Sequence, residues 1–289
     1  VAGNREAGDM NGPAPLTKTI RFQTWTLGAA ALLSAAAAIL HTFVQATPTL
    51  DALMASTAAP ETRQSLRMMW HGMSAIAWTH PVLLALLWRR PAGVARPALA
   101  FLAVLNGTQA LFLVAAGLWA EGAAGLLSLP QWAPHAAVAA LAWAARPSAP
   151  TEPGRPGHRG RARLVLLWAT TIVTGCAAVY HLIVGTFHSW PADLLDGDTA
   201  SPAKPALYAM WLFSCVVFAS VPAVLVWSTR APAAAGRFLV RYTAVLVACL
   251  MASWTLTLIL GYGPDMLPAG PVTLGLMAAL TAMSVPERA

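Results

Sequence analysis

Histidine is the residue type of this chain best suited to chemistry, and four of its histidines, His41, His71, His135 and His181, fall at one level of the hydropathy pattern. Each lies near the outer end of an apolar stretch. Neutral imidazole ligates haem and most transition metals, and ionisable side chains inside a membrane usually face a bundle interior or a cavity. These four are therefore candidate cofactor ligands, with His41 and His71 the pair expected to hold a metal ion or haem iron first. His71 sits within Met68-Met69-Trp70-His71-Gly72-Met73. Thioether together with imidazole suits copper, and Met/His axial pairs suit haem. Helical geometry weakens that motif as a unit, because at about 100° per residue Met69 and Met73 share one face while His71 and Ser74 share another. His188 falls at the outer boundary, His158 on the opposite side, and His80 roughly 13 Å deeper than His71 at helical rise.

A second polar group, Asn106, Thr108 and Gln109, lies mid-way along the third apolar stretch, with Glu121 just beyond its outer end. Asn106, Gln109 and Glu121 are candidates for a polar pathway through the protein. Interhelical hydrogen bonds worth about 1 kcal/mol each also account for Asn106 and Gln109 without any ligand. Other chemistry is missing from the sequence. It has no glycine-rich phosphate loop, no HExxH and no GxSxG. Cys176, Cys215 and Cys249 lie in apolar stretches with no CxxC pair, which reads as packing rather than a disulfide framework. Asp193, Asp196 and Asp198 lack the closing Glu of a calcium loop, so a solvated acidic loop is expected there.

The elements that must position these residues are helices in a membrane. Hydrophobic residues make up 57% of the 289 positions and charged residues only 10%, against about 25% charged in an ordinary soluble domain. Eight apolar stretches, near 25–46, 68–88, 97–118, 131–146, 164–187, 206–228, 238–260 and 268–285, approach the roughly 20 residues that a spanning helix needs. The fourth is the shortest. The net charge of +7 is a topology signal rather than the mark of a nucleic-acid partner. Of 18 basic residues, all but Arg63, Arg67 and Lys204 fall on one side of the proposed helices. The positive-inside rule then puts both termini in the cytoplasm. The lipid bilayer is the expected partner. Abundant Ala, Arg and Pro fit a GC-rich bacterial genome, and with it the bacterial inner (cytoplasmic) membrane.

The chain also repeats at an offset of 140 to 141 residues. His41 matches His181, Trp70 matches Trp211, Pro81 matches Pro222, and Pro91 matches Pro232. Arg96 matches Arg237, Gly122 matches Gly263, and Pro130 matches Pro271. Such periodicity marks fused copies of one unit. The expected fold is an all-α integral membrane protein of eight transmembrane helices, a tandem duplication of a four-helix unit. Residues 1–20 form a disordered cytoplasmic tail, 21–146 the first repeat, 147–163 a Pro/Gly/Arg linker and 164–289 the second repeat. An even number of crossings makes the repeats parallel, and in such proteins the seam between halves is the natural ligand site. The polar positions are not repeated: His71 matches Leu212, His135 matches Leu276, and Gln109 matches Leu250. Three functions fit these residues: a haem- or metal-binding module near the outer leaflet, a small-solute transporter or permease using the seam, and a structural or partner-binding protein without ligand. An enzyme would have to work inside the membrane, because no link is long enough to house an aqueous site.

Overall fold

The computed structural model describes residues 14–147, 160–188, 193–195, 198–199, 203–260 and 269–285. It is all-helical, with no strand among the described residues. Helices are what this composition dictates, since in an apolar solvent only a helix satisfies every backbone N–H and C=O within its own segment. The order is α1 (Ala14–Ile39), α2 (Ala46–Ala55), α3 (Pro60–Leu87), α4 (Ala92–Glu121), α5 (Gly125–Ser128), α6 (Trp132–Ala144), α7 (Arg161–His188), α8 (Ala203–Ser228), α9 (Ala233–Ile259) and α10 (Ala269–Met283). Each of the eight apolar stretches is helical. Most of the linker, 148–159, lies outside the described residues, and α1 begins at Ala14, ahead of the start expected near residue 25.

Among the described residues, five helical runs are long and apolar enough to cross a membrane: Phe22–Ala55, Ala92–Ser128, Leu164–Ile183, Ala203–Ser228 and Ala233–Leu256. α3 is the least apolar of the long helices because Glu61, Arg63 and Arg67 occupy its first turns. α6 and α10 contain 13 and 15 residues, about 20 and 22 Å of helix at 1.5 Å per residue. Both fall short of a hydrocarbon core of roughly 30 Å. The outward faces of α1 and α7 carry large exposed apolar side chains, among them Trp25, Leu32, Ile172 and Val179. An apolar rim of that extent marks a lipid-facing surface. These helices define a multi-pass membrane protein.

α1 packs along α3 and α6, and α7 packs along α8 and against α10. α4 pairs with α6 and reaches across to α8, while α9 pairs with α10 and reaches across to α3. Two long-range hydrogen bonds tie the second crossing. The Thr79 and Tyr242 hydroxyls lie 2.9 Å apart, and Ser253 Oγ donates to Met68 O at 3.3 Å. Most of the largest fully buried side chains, including Leu84, Leu102, Trp211 and Phe213, sit on α3, α4 and α8.

Two local departures from regular helix shape the interior. At Leu40–Val44 the end of α1 widens into a π turn, closed by Gln45 N–H donating to Leu40 O at 2.9 Å. The extra residue in that turn re-aims His41, and π turns are common where a side chain must be redirected. After α4 the chain reverses at Gly122, whose φ of +59° suits only glycine. It then folds back so closely that a Cβ on Gly125 would lie 1.9 Å from Gly117 O. Trp132 Nε1 secures the reversal by donating to Leu126 O at 3.0 Å.

Candidate functional site

The fold-back decides where the site sits. Asn106 lies fifteen residues before the end of α4, about 22 Å along the helix. His135 is in the first turn of α6, a position expected at the outer surface. The reversal carries the start of α6 inward along α4, and His135 Nδ1 meets Asn106 Oδ1 at 3.0 Å. His135 therefore does not lie at the outer surface with the exposed His71, but lines the same voids as His41. It joins the deeper His80.

Asn106 is the hub of this group. Its Nδ2 donates to Leu102 O at 3.0 Å and to His80 Nδ1 at 3.4 Å. A backbone carbonyl only accepts, so the atom beside Leu102 O must be the amide nitrogen, and the orientation of Asn106 follows. His135 Nδ1 must then carry the proton that Asn106 Oδ1 accepts, which leaves its Nε2 a lone pair. His80 Nδ1 accepts, which puts the proton on His80 Nε2. One buried amide thus sets two neutral imidazoles in opposite tautomers.

Around this relay lies a cavity of about 150 Å³, continuous in its lining with a narrower void of about 20 Å³. His41, Gln109 and His135 line both, and His80 lines the narrow end. His41 is stacked on Trp70, ring centroids 4.2 Å apart and planes at 18°. Such a pair contributes about 0.5–1.5 kcal/mol beyond its buried area. Four buried polar atoms in this lining make no hydrogen bond: His41 Nε2, Trp70 Nε1, His80 Nε2 and Gln131 Oε1. Leaving a buried donor or acceptor unpaired costs about 1–3 kcal/mol, and these four sit on residues that line the two adjoining voids. A cavity of this size holds several waters or one small solute.

The expected site residues divide. His41 and His135 meet in the polar cavity with His80, while His71 is exposed and lies outside that lining. The reason is rotational. Trp70 is turned inward onto His41, and the next residue along a helix points about 100° away. Asn106 and Gln109 belong to the site, whereas Glu121 is exposed at the end of α4. His181 lines a separate cavity of about 530 Å³ with Trp211 and Phe218 at 4.2 and 4.4 Å. The side chain of His188 lies outside the described residues. Reasoning from sequence undervalued His80, although His80 and Asn106 share a mid-membrane depth, which was the available signal. It also missed Trp70 and Gln131.

The two cavities are lined at positions separated by the repeat offset. Ala37, Leu40, His41 and Trp70 face the first, and Ala177, Tyr180, His181 and Trp211 face the second. Gln109 and Leu113 of the first correspond to Leu250 and Trp254 of the second. Met210 lines the first and Met69 the second, so each cavity borrows one methionine from the other half of the chain.

The donor set does not fit the cofactors expected from sequence. The polar cavity, at about 150 Å³, lies below the roughly 300 Å³ at which pockets for larger ligands begin, too small for haem. Among the described residues, no three His, Cys, Asp or Glu side chains stand close enough to hold a metal ion. His80 also presents N–H rather than a lone pair.

The acidic loop has a structural task. Asp198 Oδ1 accepts from Thr57 N–H and Oγ1 at 2.7 and 2.9 Å, and Asp193 Oδ2 accepts from Ala59 N–H at 2.9 Å. The two aspartates clasp the turn that starts α3. The hydrogen bonds from Thr57 hold the Asp198 carboxyl below the usual carboxylate range. Asp196 lies outside the described residues.

Comparison with protein-family models, with curated proteins and with solved structures found no match to this chain.

Proposed function

We propose that this multi-pass membrane protein binds a small, uncharged polar solute in the cavity between His41, His80, Gln109 and His135. The observation that carries the reading is the set of four buried polar atoms without a hydrogen-bond partner on residues that line the two adjoining voids. His80 Nε2–H and Trp70 Nε1–H offer donors, while Gln131 Oε1 and His135 Nε2 offer acceptors. An occupant with both functions, such as a small amide, satisfies them. A cation finds no carboxylate in the lining, and a haem finds no room.

The proposal includes the architecture. Eight spans arise from two fused four-helix units, with both termini on the cytoplasmic side of a bacterial inner membrane. The paired cavities, the two His–Trp ring contacts and the reciprocal crossings of α4 onto α8 and α9 onto α3 support the duplication. The second reading is transport of the same solute. It is favoured by Ala206, Ala209 and Met210 of α8, which bring the second half of the chain to the cavity wall.

The test uses the purified chain labelled with nitrogen-15 in its histidines and titrated with acetamide. Saturable shifts of the His80 and His41 imidazole nitrogens are expected, in a protein that is colourless and metal-free by absorbance and elemental analysis. A Soret band, stoichiometric metal, or histidine signals indifferent to acetamide would overturn the reading.

A further inference from the structure

The cavity around His181 is built on the same frame as the polar one but has different chemistry. We infer that it is a second, separate binding site, which takes a lipid-soluble aromatic alcohol, a phenol or hydroquinone ring on an apolar tail, directly from the bilayer. The inference rests on the membrane reading and is independent of what fills the polar cavity.

Size and lining set the class of ligand. About 530 Å³ is within the range of sites for ring-sized molecules. Where the first cavity has Gln109, this one has Leu250, and where the first has Leu113, this one has Trp254. His181, Trp211, Phe218 and Trp254 offer ring faces and edges to a flat guest, the arrangement that aromatic pairs prefer. Met69 and Met277 add polarizable sulfur, which packs well against rings.

The histidine is the polar handle within the cavity, while Tyr180 and Thr273 line it as exposed residues. Ser214 Oγ donates to Trp211 O at 2.6 Å, so it must accept from His181 at 3.0 Å. That fixes the His181 proton on Nε2 and leaves Nδ1 as a lone pair able to accept. The cavity therefore lacks a hydrogen-bond donor at its histidine, and the guest must bring one. A ring hydroxyl does so, whereas a ketone or carboxylate does not. The route is lateral. Cys176 and Tyr180 line the cavity from α7, and Tyr180 is 67% exposed on the face that also carries Ile172 and Val179. A mouth on a lipid-facing helix admits what the bilayer dissolves.

The experiment places the full chain, labelled with nitrogen-15 in its histidines, in phosphatidylcholine nanodiscs and compares 4-octylphenol with octylbenzene. Octylphenol is expected to shift the His181 nitrogens saturably and to leave those of His80 and His135 unmoved. Octylbenzene, lacking the donor, is expected to bind about fivefold to tenfold more weakly. Ala177→Phe fills the cavity and is expected to abolish the octylphenol response while the His80 and His135 signals persist. Equal responses to the two probes would mean a crevice for lipid tails only and overturn the assignment, as would an absence of any saturable shift. Should Ala177→Phe fail to fold, the comparison of the two probes on the unaltered chain decides the matter.

Discussion

Asn106 is the residue whose loss the geometry makes most informative. Asn106→Leu keeps the approximate volume and deletes every polar contact of the relay. Three hydrogen bonds go: to Leu102 O, to His80 Nδ1 and from His135 Nδ1. Interhelical hydrogen bonds within membranes average roughly 0.6 kcal/mol each, so the bonds alone account for less than 2 kcal/mol. The larger part comes from what is stranded. His80 is 2% exposed, and a buried group left without its partner costs about 1–3 kcal/mol. His135 is only half-buried and opens on the cavity, so its stranded N–H is partly relieved. The expected destabilisation is about 2–4 kcal/mol. It is read by reversible unfolding in mixed SDS micelles followed by circular dichroism. A second readout separates this account from simple packing loss. His135 loses the bond that fixes its tautomer, so its imidazole nitrogens change from a single Nδ1–H form to a mixture. Thr108→Val, two residues away, is the control, because the Thr108 hydroxyl returns only to Val104 O of its own helix. It is expected to change stability by less than about 0.5 kcal/mol. Stability within about 0.5 kcal/mol of the parent for Asn106→Leu, together with unchanged His135 nitrogens, would refute the relay.

Other expectations follow from single contacts. Gly125→Ala drives a Cβ into the Gly117 carbonyl, which is backbone and cannot rotate away; a loss of about 1–3 kcal/mol or a failure to fold is expected in the same unfolding assay. Tyr242→Phe removes the hydroxyl contact with Thr79 that joins α9 to α3 and should cost about 1 kcal/mol, while a neutral result would mean that this contact adds nothing to the crossing. Asp198, its pKa lowered by the Thr57 hydrogen bonds, holds its clasp above the ordinary carboxylate value of 3.8 and loses it only as pH falls through a lower folded value. The Thr57 amide chemical shift should therefore stay constant from neutral pH down to that range and then move, and Asp198→Ala should show the moved value at every pH.

The sequence made the eight helices legible because continuous apolar runs and their separating charges are one-dimensional signals. The recurrence of His41 as His181 and of Trp70 as Trp211 was legible too, but not that each histidine meets its tryptophan, at 4.2 Å between ring centroids in both halves. Helix rotation was not legible, because hydropathy fixes span and not facing. His71 was for that reason grouped with His41, yet the repetition of Trp70 and not of His71 already marked which of the two neighbours faces inward. Depth failed at α6. A short helix that begins near a membrane surface and one that begins after a fold-back have the same composition, and only the contact of Gly117 with Gly125 distinguishes them. The aspartate clasp was hidden as well, because an acidic loop looks solvated until its acceptors are seen on the amides of Thr57 and Ala59.

The two cavities show how one frame supports two chemistries. Consecutive residues of α3, Met69 and Trp70, face opposite cavities, and so do Met210 and Trp211 of α8. The two helices are therefore the shared wall, and each presents one tryptophan to the histidine of its own cavity. What differs are positions set on neighbouring helices: Leu40 against Tyr180, Gln109 against Leu250, and Leu113 against Trp254. Placing a polar solute in the second cavity would strip its hydration against apolar walls, at a cost of about 1–3 kcal/mol for each unmatched group. An apolar guest in the first would leave His41 Nε2, His80 Nε2 and Gln131 Oε1 as unpaired as they stand. If the two proposed ligands are right, desolvation keeps each from the other's cavity, and a Gln109→Leu exchange removes one of the positions by which the cavities differ without touching the wall between them.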